Sequence, residues 1–173
     1  KFPGNDEAAL FRNSVHYTDY TLGQFLREAR KQPWYAHTLL VLVADHGHQQ
    51  PGNSVNQDPA KFHIPLVLAG GALRPEARGR IVRTIGSQTD VAATLLQQLR
   101  LPDTAFHWSR NLLAAHPIPF AYYCYNNGFG AVSPAGVVSP GEDADNVRLD
   151  MKTGQLVVGY GSGGLAMLDP ANR

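Results

Sequence analysis

From Asp6 to about Lys31, apolar residues recur at spacings of three and four: Phe11, Val15, Leu22, Phe25, Leu26 and Ala29. That spacing predicts one amphipathic helix with a single apolar stripe. Asn5 or Asp6 stands where a cap belongs, and Pro33 stops the helix. The run TLLVLVA, Thr38 to Ala44, is apolar almost throughout and too short for a typical helix. It reads as a central strand of a parallel sheet covered on both faces, so helix and strand together are half of a βαβ unit.

A polar loop from Gln49 to Lys61 carries Pro51, Gly52, Asn53 and Pro59. IPLVLAGG, Ile64 to Gly71, predicts a second buried strand ending in glycines. GRIVRTIGS, Gly79 to Ser87, predicts a third and more exposed strand, because Arg80 and Arg83 interrupt it. Ser87 then opens a helix, SQTDVAATLLQQL, with Ser87 and Asp90 at capping-box spacing. Its expected buried stripe is Val91, Leu95 and Leu99, with Thr94 between, and Pro102 ends it.

After His116 aromatic residues and glycines alternate in FAYYCYNNGFG. Farther on, KTG separates VRLDM from QLVV, a hairpin signal. The expected architecture is α/β: an α/β portion over residues 1–115, closed by a small appended antiparallel sheet over residues 116–173. No internal repeat is visible.

Composition narrows the function classes. The 173 residues are 43% hydrophobic, enough for one domain with a real core. A net charge of +1 and a pI near 8.1 give no broad basic field, which argues against a nucleic-acid partner. Cys124 stands alone, so no internal disulfide or cysteine cluster forms. No run approaches the ~18 apolar residues of a membrane span, and the chain as given reads as soluble. It opens at Lys1 without methionine, so a larger parent is expected.

The chemistry concentrates in VLVADHGHQQPG, Val41 to Gly52, where Asp45, His46 and His48 follow an apolar strand. Carboxyl ends of strands are where open α/β sheets place ligand sites. At a sharp turn, which Gly47 permits, Asp45 and His46 can converge on one ion. An oxygen and a nitrogen donor suit Mn²⁺, Zn²⁺ or Mg²⁺, with decreasing comfort for the imidazole. The competing reading makes Asp45 a turn cap and His46 an ordinary surface residue. His48 and His63 have three open roles: contact with a substrate oxygen, a second metal, or support of a ligand. Against these stand a solvated loop for His48 and strand-edge packing for His63.

His16 lies about 135° from the centre of its helix's apolar stripe, on the polar face. His37, His107 and His116 carry no supporting pattern and are expected at the surface. GYGSGG, Gly159 to Gly164, has no helix after it and is expected to be a turn rather than a phosphate cradle. The tyrosines of AYYCYNN are expected to form core on one sheet face. Arg78, Arg80 and Arg83 form a mild basic patch, solvated or facing anionic lipid headgroups.

TLLVLVADHG, then KFHIPLVLAGG, then SQTDVAATLLQQLRLP, in that order and spacing, resembles the C-terminal half of the alkaline phosphatase superfamily. The nearest branch is the sulfatase family that includes lipoteichoic acid synthase and related phosphoglycerol transferases. SVHYTDYTLGQFL resembles the helix before the metal-binding strand there, and FAYYCYNNGFG the start of the closing small sheet. The resemblance implies the C-terminal part of an alkaline-phosphatase-like α/β/α sandwich. It implies a metal-dependent phosphoglycerol transferase or phosphodiesterase acting through a covalent intermediate, with a sulfatase proper as the alternative. A non-catalytic binding module with a vestigial site is the reading from another class.

Asp45 and His46 match the family's two late metal ligands, with Mn²⁺ the first expectation. The implied substrate is a phosphate or sulfate ester, including lipid-linked glycerol phosphate, at the extracytoplasmic face of a bacterial membrane. The family's nucleophile and early acidic ligand belong to an N-terminal half that would precede Lys1. The chain by itself is therefore expected to be silent.

Overall fold

In a computed structural model, which describes residues 2–168 apart from 53, 127, 139–143, 151, 154 and 161–163, the first of two compact units, Lys1–Ile81, opens on helix α1 (Glu7–Ala29). Asp6 caps it, its carboxylate accepting from the Ala9 N–H at 2.8 Å. Glu7 in the first turn and Arg27 in the last suit the helix dipole. Pro33 does end the helical run, opening a short 3₁₀ turn to His37. Of the expected stripe, Ala29 is buried, and Phe11, Leu22 and Leu26 are half-buried. Val15 and Phe25 stay exposed, because no described element lies over that part of the helix.

Strand β1 (Leu40–Val43) pairs with β2 (Leu66–Ala69) from Leu40↔Ala69 to Val43↔Leu66. The pairing is antiparallel, which corrects the expected parallel arrangement. A parallel neighbour needs a covering crossover, usually a helix. The chain between these strands instead makes loop and one 3₁₀ turn, Pro59–Phe62, and returns alongside itself. Nor are the strands covered on both faces: Val43, Leu66 and Val67 are exposed. The far end of the pair is closed by Gly71 N–H on Tyr35 O (3.1 Å) and Ala72 N–H on Thr38 O (3.3 Å). Gly70, at φ +110°, allows that approach, because a side chain there would strike the Thr38 carbonyl.

No strand forms over residues 79–87, and Ile81 is 74% exposed. The Arg80 N–H bonds back to Ala77 O (3.3 Å), using a donor that a ladder would need.

In the second unit, Val82–Arg173, the Ser87 capping box forms as its spacing predicts, Ser87 N–H donating to Asp90 Oδ2 at 2.8 Å. A 3₁₀ turn (Gln88–Asp90) leads into α2 (Val91–Gln98). The fully buried residues are Asp90, Ala93 and Thr94; of the expected stripe Thr94 is buried, Val91 and Leu95 are half-buried, and Leu99 is 61% exposed. The reason is polar. Asp90, wholly buried, takes Arg110 Nη2 at 2.7 Å and Nε at 3.0 Å, plus the Arg110 N–H at 2.8 Å. Thr94 Oγ1 donates to Asp90 O (2.7 Å) and accepts from Leu112 N–H (2.9 Å). These bonds turn the helix's polar corner inward.

Two three-stranded antiparallel meanders follow. One runs β3 (Ala121–Tyr125), β4 (Gly128–Ser133) and β5 (Gly136–Val138). The other runs β6 (Ala144–Leu149), β7 (Leu156–Tyr160) and β8 (Gly164–Leu168). Tyr123 is buried and Tyr122 exposed, as the alternation predicts, but the register sets buried Phe129 and Ala131 opposite Cys124 and Tyr122, on the other face, so the sheet buries residues on both sides. Tyr123 lies across Gly130, where a side chain would collide with its ring. The KTG signal falls between β6 and β7, which pair from Leu149↔Leu156, although Gly154 lies outside the described residues. GYGSGG joins the ends of β7 and β8, and its residues 161–163 lie outside them too. No helix among the described residues is long and apolar enough to cross a membrane.

Candidate metal edge

Asp45 and His46 emerge directly after β1, and His63 directly precedes the β2 approach. Carried past the ladder, the β1–β2 register sets Gly47 beside Phe62 and His46 beside His63. The backbones do stay together there. A β-carbon on Gly47 would fall on the Lys61 carbonyl and lie 2.9 Å from Phe62 Cα. Gly47 is therefore needed for a close approach as well as a turn, and the approach keeps the DHG loop at the strand edge.

His46 Nδ1 faces Gly47 O at 2.8 Å. A carbonyl oxygen only accepts, so in the neutral ring Nδ1 carries the proton and Nε2 keeps its lone pair. That Nε2 lies 3.6 Å from Asp45 Oδ2, while Asp45 Oδ1 accepts the His46 N–H at 3.0 Å. Two electron-pair donors thus face the same side of the turn, an arrangement that suits a shared cation. Two ligands on one ion at ~2.1 Å stand roughly 3.0–3.4 Å apart. The observed spacing is close to that, so the pair fits one side of a coordination shell. Both side chains are exposed, 88% for Asp45 and 76% for His46.

The other two histidines do not join them. Among the described residues no three His, Cys, Asp or Glu groups gather to hold one ion. His48 stacks on Phe11, ring centroids 4.6 Å apart and planes 12° from parallel. Its Nδ1 accepts the Gln50 N–H at 3.0 Å. Gln50 in turn donates through Nε2 to Glu7 at 3.3 Å, so the loop leans on the first turns of α1. His63 is exposed and closes the Pro59–Phe62 turn, its N–H on Ala60 O at 3.4 Å. His37, His107 and His116 are exposed as expected; His16, also exposed, meets the Phe2 ring edge-on at 6.3 Å.

Sequence reasoning missed the Phe11 platform, where a core position of a helical stripe serves a loop histidine. It also missed Arg110, twenty residues from Asp90 with no local pattern to mark it. The Asp90 carboxylate, with four bonds including the Ser87 cap, is structural: it binds the 109–120 connection to the start of α2.

The model of the Sulfatase family matches residues 4–101, and the chain belongs to that family, within the alkaline-phosphatase-like superfamily. The match spans more than half of the chain and takes in Asp45, His46, His48, His63 and the Asp90 turn. No solved structure matches the chain. Family membership carries hydrolase or transferase chemistry in general terms.

Proposed function

We propose that this chain supplies the late-ligand edge of a divalent-metal site in a phosphodiester-cleaving or phosphoglycerol-transferring enzyme. The observation that carries this reading is the Asp45 Oδ2–His46 Nε2 pair, 3.6 Å apart, with the His46 tautomer set by Gly47 O. Asp45 would contribute a carboxylate oxygen and His46 its Nε2. When bound, a divalent ion, Mn²⁺ first and Zn²⁺ or Mg²⁺ as alternatives, neutralises charge on the ester oxygens and activates the attacking hydroxyl. Asp45 also holds the His46 backbone through its other oxygen, which keeps both donors on one side of the turn. The DHG order, histidine rather than asparagine after the acid, supports phosphodiester over sulfate-ester chemistry.

In this reading the chain forms part of an α/β/α sandwich. The nucleophile and remaining ligands come from an N-terminal half of the same protein, which would be its principal partner. The substrate is an ester such as lipid-linked glycerol phosphate, met at the outer face of a bacterial membrane. His63, at the same strand edge, would reach the ester, and the chain alone would turn over nothing.

The test is Mn²⁺-stimulated cleavage of bis-p-nitrophenyl phosphate and of p-nitrophenyl sulfate by the full-length protein and its Asp45→Ala and His46→Ala variants. Loss of phosphodiesterase activity in both variants supports the reading. Faster sulfate release would move it to a sulfatase proper. Weak or absent Mn²⁺ binding at Asp45 and His46, with no turnover of either ester, would favour a non-catalytic module.

A further inference from the structure

We infer that the residues immediately preceding Lys1 in the full-length protein run as an extended strap along the outer face of α1, over Tyr17 and Tyr20. The inference rests on the N-terminal half proposed above and gives the path by which that half reaches this chain. Three contacts set the direction. Asp6 caps α1 at the Ala9 N–H, 2.8 Å away. Gly4 lies against Ala9, where a β-carbon would come 3.3 Å from the Ala9 methyl. Phe2 lies beside Asn13, its N–H on Asn13 Oδ1 at 2.8 Å and its carbonyl accepting from Asn13 Nδ2 at 3.0 Å. The Phe2 ring meets His16 edge-on, centroids 6.3 Å apart. In chain order the arm therefore travels antiparallel to the helix, from Asn13 and His16 back to the cap.

Its pace is that of an extended chain. Such a chain advances ~3.3 Å per residue and a helix ~1.5 Å, so each arm residue passes about two helix residues. The step from Phe2 to Gly4 does match the helix from Asn13 to Ala9. Continued upstream at that pace, the last two or three residues before Lys1, roughly, pass Tyr17 and Tyr20.

The helix is prepared for them. Ala9, Asn13, His16 and Tyr20 fall within about 60° of one another on a helical wheel, opposite Phe11, Leu22 and Ala29. Where the arm lies on this face, Ala9 is buried. Beyond the arm the face is open. Tyr17 is 68% and Tyr20 54% exposed, and with Asn13 and His16 they line a groove of about 310 Å³. Two flat aromatic rings on the arm's line of travel offer apolar area for a strap to cover. The Tyr20 hydroxyl already accepts from Gln24 Nε2 at 2.9 Å, so covering the ring does not strand it. Asn13 grips the arm through backbone atoms alone, as a neighbouring strand would.

Photocrosslinking in the full-length protein tests the path. Tyr20→p-benzoylphenylalanine should crosslink to within about six residues upstream of Lys1, read by mass spectrometry of the digested protein. Phe25→p-benzoylphenylalanine, also exposed but on another side of α1, should not reach them. Asn13→Ala removes both hydrogen bonds to Phe2 and should cut the Tyr20 crosslink about tenfold. Melting temperatures matching the parent's establish that the variants are folded.

A Tyr20 crosslink to a distant stretch of the protein or to a second copy, or none at all, overturns the strap. So does a yield that Asn13→Ala leaves unchanged. The metal edge is read separately, by Mn²⁺-stimulated phosphodiester cleavage. Cleavage that ignores Asp45 and His46 while the crosslink forms sinks the edge and leaves the strap standing.

Discussion

Gly47 lies so close to Lys61 that a single added carbon would sit on the Lys61 carbonyl. The contact joins the loop carrying Asp45 and His46 to the segment leading into β2, beyond the last ladder pair, Val43↔Leu66. Gly47→Ala must push the two backbones apart, since neither side is a flexible side-chain end. The expected cost is about 1–3 kcal/mol of stability, in the range of other overpacked sites. Mn²⁺ affinity should fall with it, because the turn that converges Asp45 and His46 opens. Thermal melts beside Mn²⁺ titration check both; a Gly47→Ala protein with unchanged melting and binding would show that the approach is dispensable.

The Asp90–Arg110 pair makes the second prediction. Asp90 is wholly buried and the Arg110 side chain 17% exposed, with the guanidinium also on Phe120 O (2.6 Å) and over the Phe120 ring at 5.3 Å. Arg110→Ala leaves a buried carboxylate with half its partners and should cost about 3–5 kcal/mol. The double variant Asp90→Asn/Arg110→Met should cost less than the sum of its two single changes, because no uncompensated charge remains. Urea midpoints of the four proteins decide it, and strict additivity would mean the pair is not coupled.

Helix α2 ends on a residue that could be better chosen. Arg100 sits at φ +57°, its N–H on Gln97 O (3.1 Å), while Leu101 N–H reaches back to Leu96 O (2.9 Å). This is the Schellman arrangement, with arginine where glycine is usual. Arg100→Gly should stabilise the chain by about 1 kcal/mol, the cost of a side chain in the left-handed region. Arg100→Ala should give no such gain, and an equal gain from alanine would remove backbone strain as the cause.

What the sequence disclosed and what it hid divide along physical lines. Local signals were legible: Asp6 as a cap, the Ser87–Asp90 box, the KTG hairpin and the aromatic alternation around Tyr123 all depend on neighbours within a few residues. Partnership between distant segments was not. The apolar run at Leu40–Val43 is the same whether its neighbour runs parallel or antiparallel, and the intervening loop decides that. Likewise Leu99 fits an apolar stripe, but Asp90, held by Arg110, rotates the helix away from it. At the candidate site, residue types pointed to Asp45 and His46. The His46 ring orientation and the Phe11 platform depend on geometry that no spacing encodes. The third strand failed because the backbone there turns back on itself, Arg80 N–H bonding Ala77 O, and propensity in Ile81 and Val82 does not outweigh that.

The β6–β7 turn carries the last prediction, a pH dependence. Asp150 closes that turn: its carboxylate accepts the Lys152 N–H at 2.8 Å and the Thr153 hydroxyl at 2.8 Å, and its own N–H bonds Gln155 O at 2.8 Å. Donors to the ionised form, the Lys152 amide first and the Thr153 hydroxyl next, hold its pKa below the ordinary 3.8. A carboxyl whose folded pKa is depressed binds protons less readily folded than unfolded. Its contribution is therefore complete above the unfolded value and fades as pH falls through the folded one. The turn should keep its protection at neutral pH and lose it only below the ordinary carboxyl range. Carboxyl-carbon NMR should show Asp150 titrating below the ordinary 3.8, with the Lys152 amide shift moving in step. Asp150→Ala should abolish that step and weaken the hairpin at neutral pH, with the difference from the parent fading as pH falls through the Asp150 titration. An Asp150 midpoint at or above the ordinary value would mean that these two bonds do not persist in solution.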